Sequence, residues 1–113
     1  MFPKLLNLTL LYVTKEVNQI LNELPVYPYQ QIFSDSYLRQ TLMARVFSQI
    51  PNRYIVVDRR KTLPKQSILI QFTTEEQLQI ENSIYEAIVD LMSEAIDRVV
   101  KSEFQRLSGV DRA

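Results

Sequence analysis

A chain of 113 residues, 46% hydrophobic and 23% charged, has the length of one domain and the balance of a globule rather than of a disordered tail. With no Cys, no His and a single Gly, it cannot build the usual zinc, iron–sulfur or haem ligand sets, a His- or Cys-based triad, or a glycine-rich phosphate cradle. Net charge is zero but unevenly placed: Arg53, Arg59, Arg60, Lys61 and Lys65 stand against Asp58 alone, whereas the acids between Glu75 and Glu103 face only Arg98 and Lys101. That asymmetry permits an anionic ligand or pairing between subunits, while a neutral chain gains little from counterion release, so no duplex DNA partner is expected.

In chain order, the apolar run Leu5 to Val13 follows Lys4 but contains Asn7 and Thr9, lacks a small-residue cleavage site and is too short to span a bilayer. It reads as the first turns of a buried helix, with Leu6, Leu10, Val13, Val17, Ile20 and Leu24 on one stripe. Pro25 and Pro28 end that helix, and Tyr27, Tyr29 and Phe33 anchor an aromatic connection. A second helix starts at a cap, Ser34 or Asp35, buries Leu38, Leu42, Met43, Val46, Phe47 and Ile50, and stops at Pro51.

The period then changes. Tyr54 to Val57 and Ser67 to Phe72 are short β-branched runs joined by a basic turn with Pro64, the pattern of a hairpin. A lone hairpin is marginal in water, so it must lie on the helices or on another subunit. Thr73 and Glu76 form a capping box for a long last helix, with Ile84, Ile88, Leu91, Ala95 and Val99 as its main stripe. Ile80, Ala87, Met92, Ile96 and Val100 widen the stripe, and Gly109 is a fitting stop. The expected fold is mainly α with a small β-hairpin (α+β): two N-terminal helices, the hairpin and the long helix in one domain over 1–107, then a disordered tail over 108–113.

At about 1.5 Å per residue, the segment Thr74 to Leu107 spans roughly 50 Å. A globule of this size is about 35 Å across. Unless the helix bends, part of it leaves the globule, and a homodimer through Ile84, Ile88, Leu91, Ala95 and Val99 is the expected cover.

Two constellations invite chemistry. Glu86, Asp90, Glu94 and Asp97 could hold a hard cation, but Glu94 with Arg98 and Asp97 with Lys101 are spaced for intrahelical ion pairs, and no metal is expected. The basic segment from Arg53 to Lys65 reads either as an anion site, with Tyr54 stacking on a base, or as charge that protects a sheet edge. Arg45 flanks the second helix and reads either as a simply solvated arginine, the preferred reading, or as one whose stem is covered while its guanidinium is available to an anion. No nucleophile–base pair is apparent, so neither an enzyme nor a cofactor is expected. The lack of Cys fits a reducing, cytoplasmic setting.

The stretch Leu42-Met-Ala-Arg-Val-Phe-Ser-Gln-Ile-Pro-Asn-Arg-Tyr-Ile-Val-Val-Asp58 resembles the signature of the late-competence ComFB family, in which a helix ending in Ala-Leu-Asn-X-Leu-Pro-Pro-X-Tyr runs into an extended segment. Ala44 stands near the family's helix alanine, Gln49-Ile50-Pro51 at its helix end, and Arg53-Tyr54 at its basic-aromatic close. The likeness in layout covers residues 10 to 98. Pro51-Asn52 replaces the usual Pro-Pro, Ser48 replaces the helix Asn, and the zinc-binding cysteines of some members are missing between Glu23 and Leu38, so that metal does not carry over. The resemblance implies a mainly helical dimer linked to cyclic-dinucleotide signalling, pilus-dependent motility and DNA uptake, with Arg45, Arg53 and Tyr54 in or beside the matching motif. Arg59 and Arg60 join the candidate ligand site on charge alone. The competing expectation is a structural or adaptor module whose long helix docks a partner protein without a small ligand.

Overall fold

The computed structural model describes residues 3–58 and 72–110, with side chains to 108. Strand β1 (Pro3–Asn7) leads into helix α1 (Leu8–Glu23); a wide turn over Val26–Gln30 precedes helix α2 (Ser36–Gln49); strand β2 (Tyr54–Asp58) follows, and helix α3 (Thr74–Val110) closes the chain. The fold is α+β, mostly helical, with a two-stranded antiparallel sheet and a long last helix.

The sheet's composition differs from expectation. β2 pairs with β1, in a register that sets Pro3 opposite Asp58 and Asn7 opposite Tyr54. The expected return strand lies outside the described residues except for Phe72. The apolar run that read as the opening of a helix is therefore strand up to Asn7. Asn7 itself makes the break: its backbone is extended and its side chain accepts from the Leu10 amide at 3.0 Å, capping α1. The Leu8 amide, an open donor at the helix start, is taken by the Arg53 carbonyl at 2.8 Å. Consequently Leu6 belongs to the sheet and Leu10 is exposed, while Leu8, Tyr12, Val13, Val17, Ile20 and Leu21 form the buried face of α1.

Asp35 is the cap of α2, accepting from the Leu38 amide at 3.1 Å. Leu42, Val46 and Ile50 are buried, with Leu38, Met43 and Phe47 packed partly under cover. In the preceding turn Phe33 is buried and Tyr29 half-buried, but Tyr27 is exposed, so it anchors nothing. Thr73 and Glu76 make the reciprocal box at the start of α3: the Thr73 amide donates to the Glu76 carboxylate at 3.0 Å and the Glu76 amide to the Thr73 hydroxyl at 3.1 Å.

α3 runs for 37 residues, through Ser108 and Gly109, so the expected stop at Gly109 and the disordered reading of 108–110 give way to helix. At about 1.5 Å per residue its length is roughly 55 Å. The molecule measures 73 × 28 × 24 Å with a radius of gyration of 19.0 Å, against about 13 Å for a compact chain of this size. Ile80, Ile84, Ala87, Ile88, Leu91 and Met92 pack into the core beside α1 and α2, and burial stops there. The last turns project beyond the body. Among the described residues no helix is long and apolar enough to cross a membrane.

Candidate functional site

The link from α2 to β2 is fixed from beneath by Thr9. This wholly buried residue donates from its hydroxyl to the Pro51 carbonyl at 3.2 Å and accepts from the Arg53 amide at 2.8 Å. Asn7 adds a contact from its amide to the Asn52 side chain at 3.4 Å. The backbone from Pro51 to Arg53 thus hangs from the first turn of α1, and the direction in which Arg53 and Tyr54 leave it is set.

They leave it into a hollow. Ile50 to Tyr54 on one side and Phe72, Glu76, Gln79 and Ile80 on the other enclose about 370 Å3, a volume at the lower end of ordinary small-molecule pockets. Its floor is a stack. The Tyr12 and Phe72 rings lie 4.8 Å apart at 30°, and the guanidinium of Arg53 lies over the Phe72 ring, 4.9 Å from its centroid. Arg53 also pairs with the Glu76 carboxylate. Tyr54 is half exposed at the rim.

The charges are tuned by these contacts. The Thr73 backbone amide and then the Arg53 guanidinium hold the Glu76 carboxyl below the usual carboxylate range. Behind the stack, burial first and then the charges of Glu16 and Glu81 push the Tyr12 phenol up to about 12. Burial likewise raises the Glu16 carboxyl, Lys15 opposing and Glu81 and Glu23 adding to the shift. The hollow therefore offers a clamped cation beside an ionised carboxylate, with the exposed Tyr54 ring at its rim for a flat ligand.

Of the residues singled out from sequence, Arg53 and Tyr54 meet here. Arg45 does not. It lies elsewhere on α2, where its Nη2 donates to both Glu94 oxygens at 2.7 and 2.8 Å, so it ties α2 to α3 and is not an idle cation. Glu94 is correspondingly not the partner of Arg98, whose Nε contacts only the Glu94 backbone carbonyl at 3.4 Å. Arg59 and Arg60 fall outside the described residues. Of the expected dimer stripe, Ile84, Ile88 and Leu91 are covered by their own chain and have no surface left to give, Ala95 is half-buried, and Val99 is exposed.

No protein-family model, curated protein or solved structure matches the chain. The site rests on its own geometry.

Nothing in the sequence pattern marks Phe72, Glu76 and Gln79 as members of a site. The capping box did signal that Glu76 opens α3, but its second use as partner to Arg53 needs the fold, because the two residues come from separate elements. Phe72 read only as the end of a strand.

Proposed function

We propose that this chain is a non-enzymatic, ComFB-like regulatory protein that acts as a dimer and takes up a nucleotide-type anion, of the cyclic-dinucleotide class, in the hollow between the α2–β2 link and α3. One observation supports this: Arg53, Tyr54 and Phe72, a cation and two aromatic rings, converge on a single pocket. Stacking on the exposed Tyr54 ring accepts any purine face, and the guanidinium fork suits a phosphate. Glu76 sets the condition for binding, since a phosphate must draw Arg53 away from a carboxylate that is already ionised.

Isothermal titration with cyclic di-GMP and cyclic di-AMP tests the reading. Heat in the micromolar range is expected, reduced in Tyr54→Ala and increased in Glu76→Gln, which releases the guanidinium from its charged partner. No heat at high micromolar ligand sinks the proposal.

A second reading, an adaptor that docks a partner through α3 alone, is favoured by the apolar side chains that α3 leaves uncovered past the core, Val99, Val100, Phe104 and Leu107. Under it Arg53→Ala leaves cellular function intact, whereas a charge at Val100 abolishes it.

A further inference from the structure

α3 carries apolar residues on two faces. One face, Ile80, Ile84, Ile88 and Leu91, is buried against α1 and α2. The other is made of Leu78, Tyr85, Val89, Ile96, Val100 and Leu107, all exposed, and it runs along body and projection alike. Their separations along the chain are seven, four, seven, four and seven residues, spacings that keep successive side chains on one side of a helix. The series reads the same in both directions. A two-fold axis between positions 92 and 93 would therefore set Leu78 against Leu107, Tyr85 against Val100 and Val89 against Ile96, apolar on apolar throughout.

Charge selects the same direction. Between Thr74 and Asp97 α3 has acids and no base, and Glu75, Glu81, Glu86 and Asp90 have no ion-pair partner among the described residues; Arg98 and Lys101 follow in the projection, where Arg106 is already paired with Glu103. Parallel pairing would lay the acidic half on its own copy. Antiparallel pairing lays the basic turns of one helix along the acidic half of the other. The area is adequate as well: with roughly 100 Å2 uncovered at each of these side chains, and Val99 and Phe104 beside them, the stripe offers on the order of 800 Å2, about what one partner gives to a standard interface.

We infer that α3 binds α3 of a second copy of this chain, antiparallel, through the stripe from Leu78 to Leu107, each projection covering the body of its partner. This rests on the dimer invoked above but not on its pocket.

The chain has no Cys, so introduced thiols report unambiguously. Leu78→Cys and Leu107→Cys are prepared separately, shown by circular dichroism to be folded, mixed and treated with a short bis-maleimide, while sedimentation of the unsubstituted protein gives its mass. Expected are a dimer by sedimentation, a cross-linked product in the mixture and none in either variant alone, because like positions lie roughly 44 Å apart at about 1.5 Å per residue. Self-linking of each single variant means a parallel pair and overturns the inference, leaving the dimer standing. A dimer that links in no combination uses another surface and overturns it too. A monomer at high concentration overturns both this pairing and the dimer itself, whatever the ligand titration gives.

Discussion

The hydroxyl of Thr9 accepts from the amide of Arg53 at 2.8 Å and, at 3.2 Å, donates to the carbonyl of Pro51, so one buried side chain near the beginning of α1 holds the backbone that presents the pocket. Replacing it with Val keeps the shape and removes both bonds. The Arg53 amide then loses its acceptor, a loss of about 2 kcal/mol. Urea unfolding should show that loss for Thr9→Val and recover most of it in Thr9→Ser; equal stability of the Val and unsubstituted chains would contradict this account.

Arg45 and Glu94 are both substantially exposed, at 35% and 50%. Such a pair is screened by water and salt, and a double-mutant cycle on Arg45→Ala and Glu94→Ala should return a coupling below about 1 kcal/mol that shrinks further at high salt. Because the pair lies apart from the pocket, neither substitution should alter a ligand titration. A lost titration in Arg45→Ala would bring this residue back into the binding site.

Glu76 in the pocket and Tyr12, which packs on Phe72, predict opposite pH responses. Glu76 has a folded pKa below its ordinary value, so its contribution is present above the unfolded carboxylate range and is lost as pH falls through the lowered folded value. Glu76→Gln should flatten the acid limb of the stability curve. Tyr12, with its phenol held to about 12 when folded, keeps full stability below about 10, the unfolded value, and loses it as pH climbs between the two. In Tyr12→Phe that alkaline decline should be smaller. An NMR titration of the tyrosine ring carbons, with Tyr12 ionising alongside the exposed tyrosines, would refute the assignment.

The two faces of α3 should respond differently to truncation. Ile88→Ala opens a void in the core and should cost about 2–5 kcal/mol. Val100→Ala, measured by unfolding at concentrations dilute enough to separate any partners, should stay within about 0.5 kcal/mol, because its side chain touches no core. Similar losses at both positions would mean that the projection folds back on the body.

Local chemistry made much of this fold legible in the residues themselves. Thr73 with Glu76 as a box and Pro51 as a stop each depend on neighbours within a turn or so, and each is where the sequence places it, while Asp35 is the one used of the two caps, Ser34 and Asp35, that the sequence offers. What escaped depends on distant partners. Pro3 to Asn7 has the apolar content of a helix start, and only β2 makes it a strand. Arg45 had no visible partner because Glu94 is far along the chain. On α3, Ile96 and Val100 read as a widening of one stripe, since nothing in the periodicity says which of two apolar faces the body will cover; Tyr85, Val89 and Phe104 then went unread.

The pairing of β1 with β2 has a bearing on the order in which the molecule assembles. Pro3–Asn7 leaves the ribosome well ahead of Tyr54–Asp58, and about fifty residues must be made before this ladder can close. Helix α1 can coil as it emerges, since its bonds are local. The strand just ahead of it must wait, unsatisfied, for a mate that has not yet been translated, so slowed elongation past α2 would prolong the interval in which that greasy segment is open to the wrong neighbour.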